Sequence, residues 1–249
     1  MRLKDNVAIV TGGGQGIGRA IAMEFAKEGA KVTVVARRLE PLEEVVKGIR
    51  EGGGEALAAE GDVSRIADVD RIIAKTVNTY GKLDILVNNA GILISADVEH
   101  HSEQIWDDTM AINVKGTFLC IQRALPEMIK QGKGKVINIA SIAGQIGFPN
   151  AAAYCASKGA IMGLTKALAM ELAPKKINVN AIGPGDVRTP LNAHLLSEPA
   201  YLKSRVEQTP YGRVGEVSDI APAAVYLASD ESDFVNGITL TVDGGLIIN

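Results

Sequence analysis

Tyr154 and Lys158 stand four residues apart in the segment AAAYCASKGAIMGLTKALAMEL, which reads as one long helix. Residues at i and i+4 share a helix face. An unperturbed phenol has a pKa of about 10, which makes it a sluggish acid–base group near neutrality. A neighbouring ammonium favours phenolate, so Lys158 is expected to draw Tyr154 toward the working range. In isolation the two residues read more simply as a packed tyrosine and a solvated lysine. Ser141 closes the apolar run KVINIAS, which sets its hydroxyl at a strand end, where a lone serine is ordinarily a turn or cap residue. A serine hydrolase is not supported, because G-x-S-x-G is absent and His100, His101 and His194 fall in no triad motif.

A second constellation is VTGGGQGIGRA, Val10 to Ala20. It fails the G-x-G-x-x-G template and spells T-G-x-x-x-G-x-G through Thr11, Gly12, Gly16 and Gly18. The loop lies between strand-like NVAIVTG and helix-like GRAIAMEFAKEG. Glycine lets backbone approach a phosphate closely, and the N–H groups opening a helix attract anions. Glycine richness alone fits a structural turn equally well.

These residues need elements to hold them. Beyond NVAIVTG, the runs KVTVVAR, EALAAEGDV, LDILVNNAG, GKVINIAS, KINVNAIGPG and ITLTVDGG read as strands, giving about seven. Amphipathic segments alternate with them: DVDRIIAKTVNTYG places Val69, Ile72, Ile73 and Val77 at helical spacing, and the glycines of LEPLEEVVKGIREGGG stop a helix. Alternation of this kind implies one α/β domain, a doubly wound parallel sheet covered by helices on both faces. No linker, repeat or low-complexity tract divides residues 1–249. PLNAHLLSEPAYLKSRVEQTPY, Pro190 to Tyr211, interrupts the alternation as a substrate-loop excursion or surface insertion.

In order along the chain, the glycine loop, GDV at Gly61–Val63, NNAG at Asn88–Gly91, Asn113, Ser141, YCASK at Tyr154–Lys158 and GPG at Gly183–Gly185 resemble the motifs of the short-chain dehydrogenase/reductase family, over essentially the whole chain. The resemblance implies a single Rossmann-type domain and a catalytic set of Asn113, Ser141, Tyr154 and Lys158. Tyr154 would exchange the proton with a carbonyl or alcohol oxygen, and Lys158 would lower the Tyr154 pKa and bind the nicotinamide ribose. Ser141 would polarise the carbonyl, and Asn113 would hold a water linked to Lys158. For cofactor binding it implies Thr11, Gly12, Gln15, Gly16, Ile17 and Gly18 at the pyrophosphate, and Asp62 and Val63 at the adenine. Asn89, Ala90 and Gly91, then Pro184, Gly185, Val187 and Thr189, complete that set with Tyr154 and Lys158.

The strand end after KVTVVA selects the nicotinamide cofactor. An acidic residue there would bind the ribose hydroxyls of NAD. This chain has Ala36, Arg37 and Arg38, guanidiniums suited to a 2′-phosphate, with Arg37 the stronger candidate. NADP(H) is therefore favoured. Many NADP-preferring relatives also carry Arg or Lys inside the loop, where Gln15 stands, so NAD(H) use stays open.

Ile92, Leu93, Ile142, Ala143, Gly144 and Gln145, with Leu191–Leu196, would build a mainly apolar pocket for a ketone, ketoester or β-ketoacyl group. Relatives of this kind include 3-oxoacyl-acyl carrier protein reductases, carbonyl reductases and sugar dehydrogenases, and the motifs do not choose among them. A non-catalytic nucleotide-binding regulator on the same fold need not keep Ser141, Tyr154 and Lys158 together. The resemblance also implies a homotetramer.

Net charge is −3 with signs interspersed, which gives nucleic-acid or membrane-surface binding no electrostatic support. Cys120 and Cys155 form no disulfide framework, and no metal-ligand cluster appears. The His100–His101 pair reads as solvated surface. Without a signal peptide or membrane-length apolar run, the expectation is a soluble cytoplasmic protein. The tail DGGLIIN is apolar enough to be buried beside the site or across a subunit boundary.

Overall fold

The structure is a computed structural model that describes residues 1–248. Strands β1 (Val7–Thr11), β2 (Lys31–Ala36) and β3 (Glu55–Glu60) alternate with helices α1 (Gly16–Lys27), α2 (Glu40–Glu51) and α3 (Ile66–Tyr80). After β4 (Ile85–Asn88) come α4 (Glu103–Thr109) and α5 (Gly116–Gln131), joined by a wider-wound turn, Met110–Lys115. Then follow β5 (Gly134–Ile139), α6 (Ala152–Leu172), β6 (Ile177–Pro184), the short α7 (Ala193–Leu196), α8 (Pro199–Gln208), α9 (Val217–Ala228) and β7 (Thr239–Val242). The seven expected strands form one sheet of order β3-β2-β1-β4-β5-β6-β7, and every pairing is parallel.

Parallel strands between two helix layers are apolar on both faces, and β1 shows how the alternation divides the core. Ala8 and Val10 pack with Ile21 and Phe25 of α1 and Ile220 and Ala224 of α9, whereas Ile9 faces Ile72 of α3 and Leu119 of α5. Phe25 is fully buried, worth about 1.5–3 kcal/mol for such a side chain. In α3 the buried residues Val69, Ile72, Ile73 and Thr76 follow the helical period. Val77 is only partly buried, and Thr76 takes the inner place, its Oγ1 donating to Ile72 O and 3.0 Å from Thr33 Oγ1.

The order reverses at β1, which pairs with β2 on one side and β4 on the other. A crevice opens there beyond the carboxyl ends, where open α/β sheets bind ligands. The Pro190–Tyr211 excursion carries α7 and α8. The tail is only partly buried: Leu246 is enclosed, Ile248 is 86% exposed, and Asn249 lies outside the described residues. His100 is exposed and paired with Asp97, whereas His101 is half-buried with neither ring nitrogen partnered, unlike the solvated pair expected. No described helix is long and apolar enough to cross a membrane.

Candidate active site

The glycine loop leaves β1 and turns into α1 with positive φ at Gly12 (64°) and Gly16 (54°). A Cβ on Gly18 would lie 2.3 Å from the Gly12 carbonyl oxygen, so only glycine lets this turn close. Thr11 is buried behind it, where Oγ1 accepts from the N–H groups of Asn89 and Ala90, each at 3.0 Å, and ties the β4 end to β1. No side chain caps α1 and no carboxylate sits in its first turn, so its leading N–H groups remain available to an anion.

A crevice of about 510 Å³ runs over this loop, lined by Gly12, Gln15, Gly16, Ile17, Arg37 and Arg38 among others. Arg37 and Arg38 are exposed and form no ion pair among the described residues. A chamber of about 150 Å³ continues from Arg37 to Asp62, Val63 and Ile92. Asp62 Oδ1 accepts from Ser64 N and Oγ, which fixes that turn. Glycine cradle and uncapped helix together fit the pyrophosphate of a dinucleotide.

Asn89, Gly91, Ile17 and Thr189 are shared between this crevice and a second cavity of about 420 Å³. Ser141, Tyr154 and Lys158 stand on its wall, beside Pro184, Gly185 and Val187. Lys158 is 5% exposed, and its Nζ donates to the Ile139 carbonyl at 2.8 Å and lies 5.5 Å from the Tyr154 ring centroid. Ser141 Oγ accepts from Ala143 N at 3.1 Å, so this serine caps a short turn and faces the cavity at once.

The electrostatics correct one expectation. Burial pushes the Tyr154 phenol up to about 12, opposed by its hydrogen bond with Ser141 and reinforced by Cys155 and Asp186. Burial likewise pushes Lys158 down to about 8. Lys158 does not draw the phenol toward neutrality in this arrangement, because desolvation outweighs an ammonium held on the Ile139 carbonyl.

Thr11, Gly18 and Asn113 do not line the crevice. Asn113 is fully buried in the wide turn before α5, where Oδ1 accepts from Ile92 N at 2.8 Å and Nδ2 donates to Ile92 O and Ser157 Oγ at 3.0 Å. Its side chain is thus committed to joining the loop after β4 to α6. Ile92 lines the Asp62 chamber, Gln145 turns to Thr241, and Gly144 packs on the Lys158 backbone, so these three leave the expected pocket. The cavity also takes in Phe148, Asn150, Asp186 and Tyr201, and its wall stays mainly apolar as expected, with Ser95, Asn150, Asp186 and Asn192 as its polar points. Asp186 directly follows the GPG motif, which could have marked it, whereas nothing in the sequence singles out Tyr201.

A family model for short chain dehydrogenases matches residues 6–200. The chain belongs to the short-chain dehydrogenase/reductase family. This short-chain dehydrogenase is 41% identical over 249 residues to an uncharacterized oxidoreductase of Thermotoga maritima, covering 98% of each chain. It is also 41% identical to a 3-oxoacyl-[acyl-carrier-protein] reductase of Staphylococcus aureus over 241 residues, 96% of this chain and 97% of the relative. Among solved structures, a gluconate 5-dehydrogenase from Burkholderia cenocepacia J2315, in complex with NADP and tartrate, superposes with a TM-score of 0.96 at 38% identity. That match covers 100% of this chain and 97% of the other. The short-chain dehydrogenase reading therefore spans the whole molecule, and with it the assignment as an oxidoreductase.

Proposed function

We propose that this short-chain dehydrogenase is an NADP(H)-dependent oxidoreductase that interconverts a ketone, ketoester or β-ketoacyl group and a secondary alcohol. One observation carries the reading: Ser141, Tyr154 and Lys158 meet on one cavity wall, open to a crevice rimmed by the unpaired Arg37 and Arg38. When bound, the nicotinamide supplies the hydride chemistry. Arg37, with Arg38, holds the 2′-phosphate, the uncapped α1 holds the pyrophosphate, and Asp62 and Val63 flank the adenine.

The Tyr154 phenol, protonated throughout the neutral range, gives its proton to the carbonyl oxygen. Ser141 donates to that same oxygen and steadies its developing charge. Lys158, held on Ile139 and adjoining Gly91, holds the ribose and passes protons toward Tyr154. The Asn113 side chain is committed to Ile92 and Ser157, so holding a relay water falls to the main chain of this residue.

Ser95, Asn150, Asn192 and Asp186 in the wall favour a second reading, a hydroxylated substrate of the kind a sugar dehydrogenase takes, which the likeness to a gluconate 5-dehydrogenase supports. The likeness to a 3-oxoacyl-[acyl-carrier-protein] reductase keeps carrier-bound ketoacyl groups beside it. The reading includes a homotetramer, for which Phe118, Met170 and Phe234 supply exposed apolar surface.

The test is a kinetic screen of ketones, β-ketoesters, aldonates and sugars with both cofactors. The expected outcome is turnover of a ketone with kcat/KM for NADPH above that for NADH. Turnover confined to aldonates and sugars replaces the first reading by the second. Tight NADPH binding without turnover of anything contradicts both.

A further inference from the structure

Arg205 lies where three parts of the substrate cavity wall meet. Its guanidinium carbon is 5.2 Å from the ring centroid of Phe148, in the loop after β5, and 6.0 Å from that of Tyr201, one turn earlier on α8. Its Nε donates to Oδ2 of Asp186, just beyond β6, and its Nη1 donates to Gln208 Oε1 at 2.6 Å. Phe148, Asp186 and Tyr201 all line the cavity that holds Tyr154. The pair is sheltered, with Arg205 and Asp186 side chains only 11% and 15% exposed. By contrast, α8 buries none of its residues fully, and its principal neighbour among the elements is the single-turn α7.

We propose that the Asp186–Arg205 pair latches α8 over the substrate cavity and offsets part of the Asp186 charge at the Tyr154 end, which makes Arg205 a positioning residue for the reaction. The inference deepens the function proposed above and rests on it for the role of Tyr154. A helix with no buried face of its own is held by the few contacts it makes, and the strongest of these is the sheltered pair. Breaking such a pair from one side is costly because it leaves a charge uncompensated away from water. The guanidinium also lies within cation–π distance of two rings while keeping its bond to Asp186.

The latch has an electrostatic consequence. The groups facing the phenol are Ser141 and Lys158, Cys155 beside it in the chain, and Asp186. Asp186 in turn faces Arg205, Tyr154 and Tyr201. Asp186 disfavours the phenolate of Tyr154, and Arg205 compensates its charge only while α8 is closed. At equal solvation, losing the Arg205 charge leaves Asp186 to disfavour the phenolate more strongly.

Two readouts test this on the intact enzyme with Arg205→Leu, Asp186→Asn and the double variant. The first is amide hydrogen exchange across residues 199–208, which needs no activity. The second is the pH profile of kcat/KM for alcohol oxidation, which rises as Tyr154 loses its proton. All three variants are expected to exchange severalfold faster across 199–208 with the central strands unchanged. Against the double variant, which opens α8 equally, Arg205→Leu strands the carboxylate and is expected to oxidise alcohol severalfold more slowly at about pH 9. Asp186→Asn and the double variant do not show that extra loss. Unchanged exchange across 199–208, or oxidation slowed equally in Arg205→Leu and the double variant, overturns the proposal. Should Arg205→Leu fail to fold, exchange in Asp186→Asn decides. If the wild-type enzyme oxidises no alcohol, the failure belongs to the proposed function, and exchange still decides the latch.

Discussion

Lys158 carries a charge in a place that penalises it. One backbone carbonyl, Ile139 O, is its hydrogen-bond partner, and burial pushes its pKa down to about 8. In the cofactor-free protein its ammonium is predicted to titrate near pH 8, while exposed lysines titrate near 10.4. NMR titration of the lysine side-chain nitrogens checks this, and a spectrum in which every lysine titrates above 10 contradicts it. The sign for stability follows. The folded pKa lies below the unfolded one, so between about pH 8 and 10.5 the unfolded chain binds more protons, and this group's destabilising effect is relieved as pH rises through that window. Tyr154 is shifted oppositely and stays protonated, so under the proposed function it would act as an acid in reduction and oxidation is expected to improve with alkalinity. The i, i+4 spacing made this pair legible in the sequence. Its electrostatics were not, because desolvation depends on what α6 is packed against, and no local pattern encodes that.

At the scale of elements, the β1–α1 turn is the most tightly constrained. A Cβ on Gly18 meets the Gly12 carbonyl oxygen at 2.3 Å and Asn89 Nδ2 at 2.4 Å, and both belong to the crevice floor. Gly18→Ala is expected to cost about 1–3 kcal/mol of overpacking strain and to weaken NADPH binding more than it lowers Tm. Calorimetry and a fluorescence titration measure the two, and wild-type values in both contradict the account. The loop was readable because positive φ and close approach demand glycine. The wide turn at Met110–Lys115 was not, since an extra residue per turn leaves no mark in composition, and the bracing of Ile92 and Ser157 by the Asn113 side chain was hidden with it. The Pro190–Tyr211 stretch was legible as an interruption, but its two helices and their anchor at Asp186 depend on a contact 19 residues apart.

Across the whole molecule, the strand order places the glycine loop, the β4 end and the β5 end along one edge, and α6 brings Tyr154 and Lys158 to the same edge. Alternating apolar runs revealed the seven strands because both faces of a parallel sheet are buried, whereas the few polar points of a mainly apolar cavity, Asn150, Asp186 and Tyr201 among them, converge from distant segments and were not legible. Under the proposed function this assembly moves a proton through Tyr154 while the crevice holds NADPH independently. The most direct test is the rate of NADPH oxidation by Tyr154→Phe on the best ketone of the wild-type enzyme, with NADPH binding verified in the same sample. The account predicts loss of turnover by at least about 100-fold, the range expected for removing a general acid, with cofactor affinity retained. Near-wild-type reduction by Tyr154→Phe would contradict it.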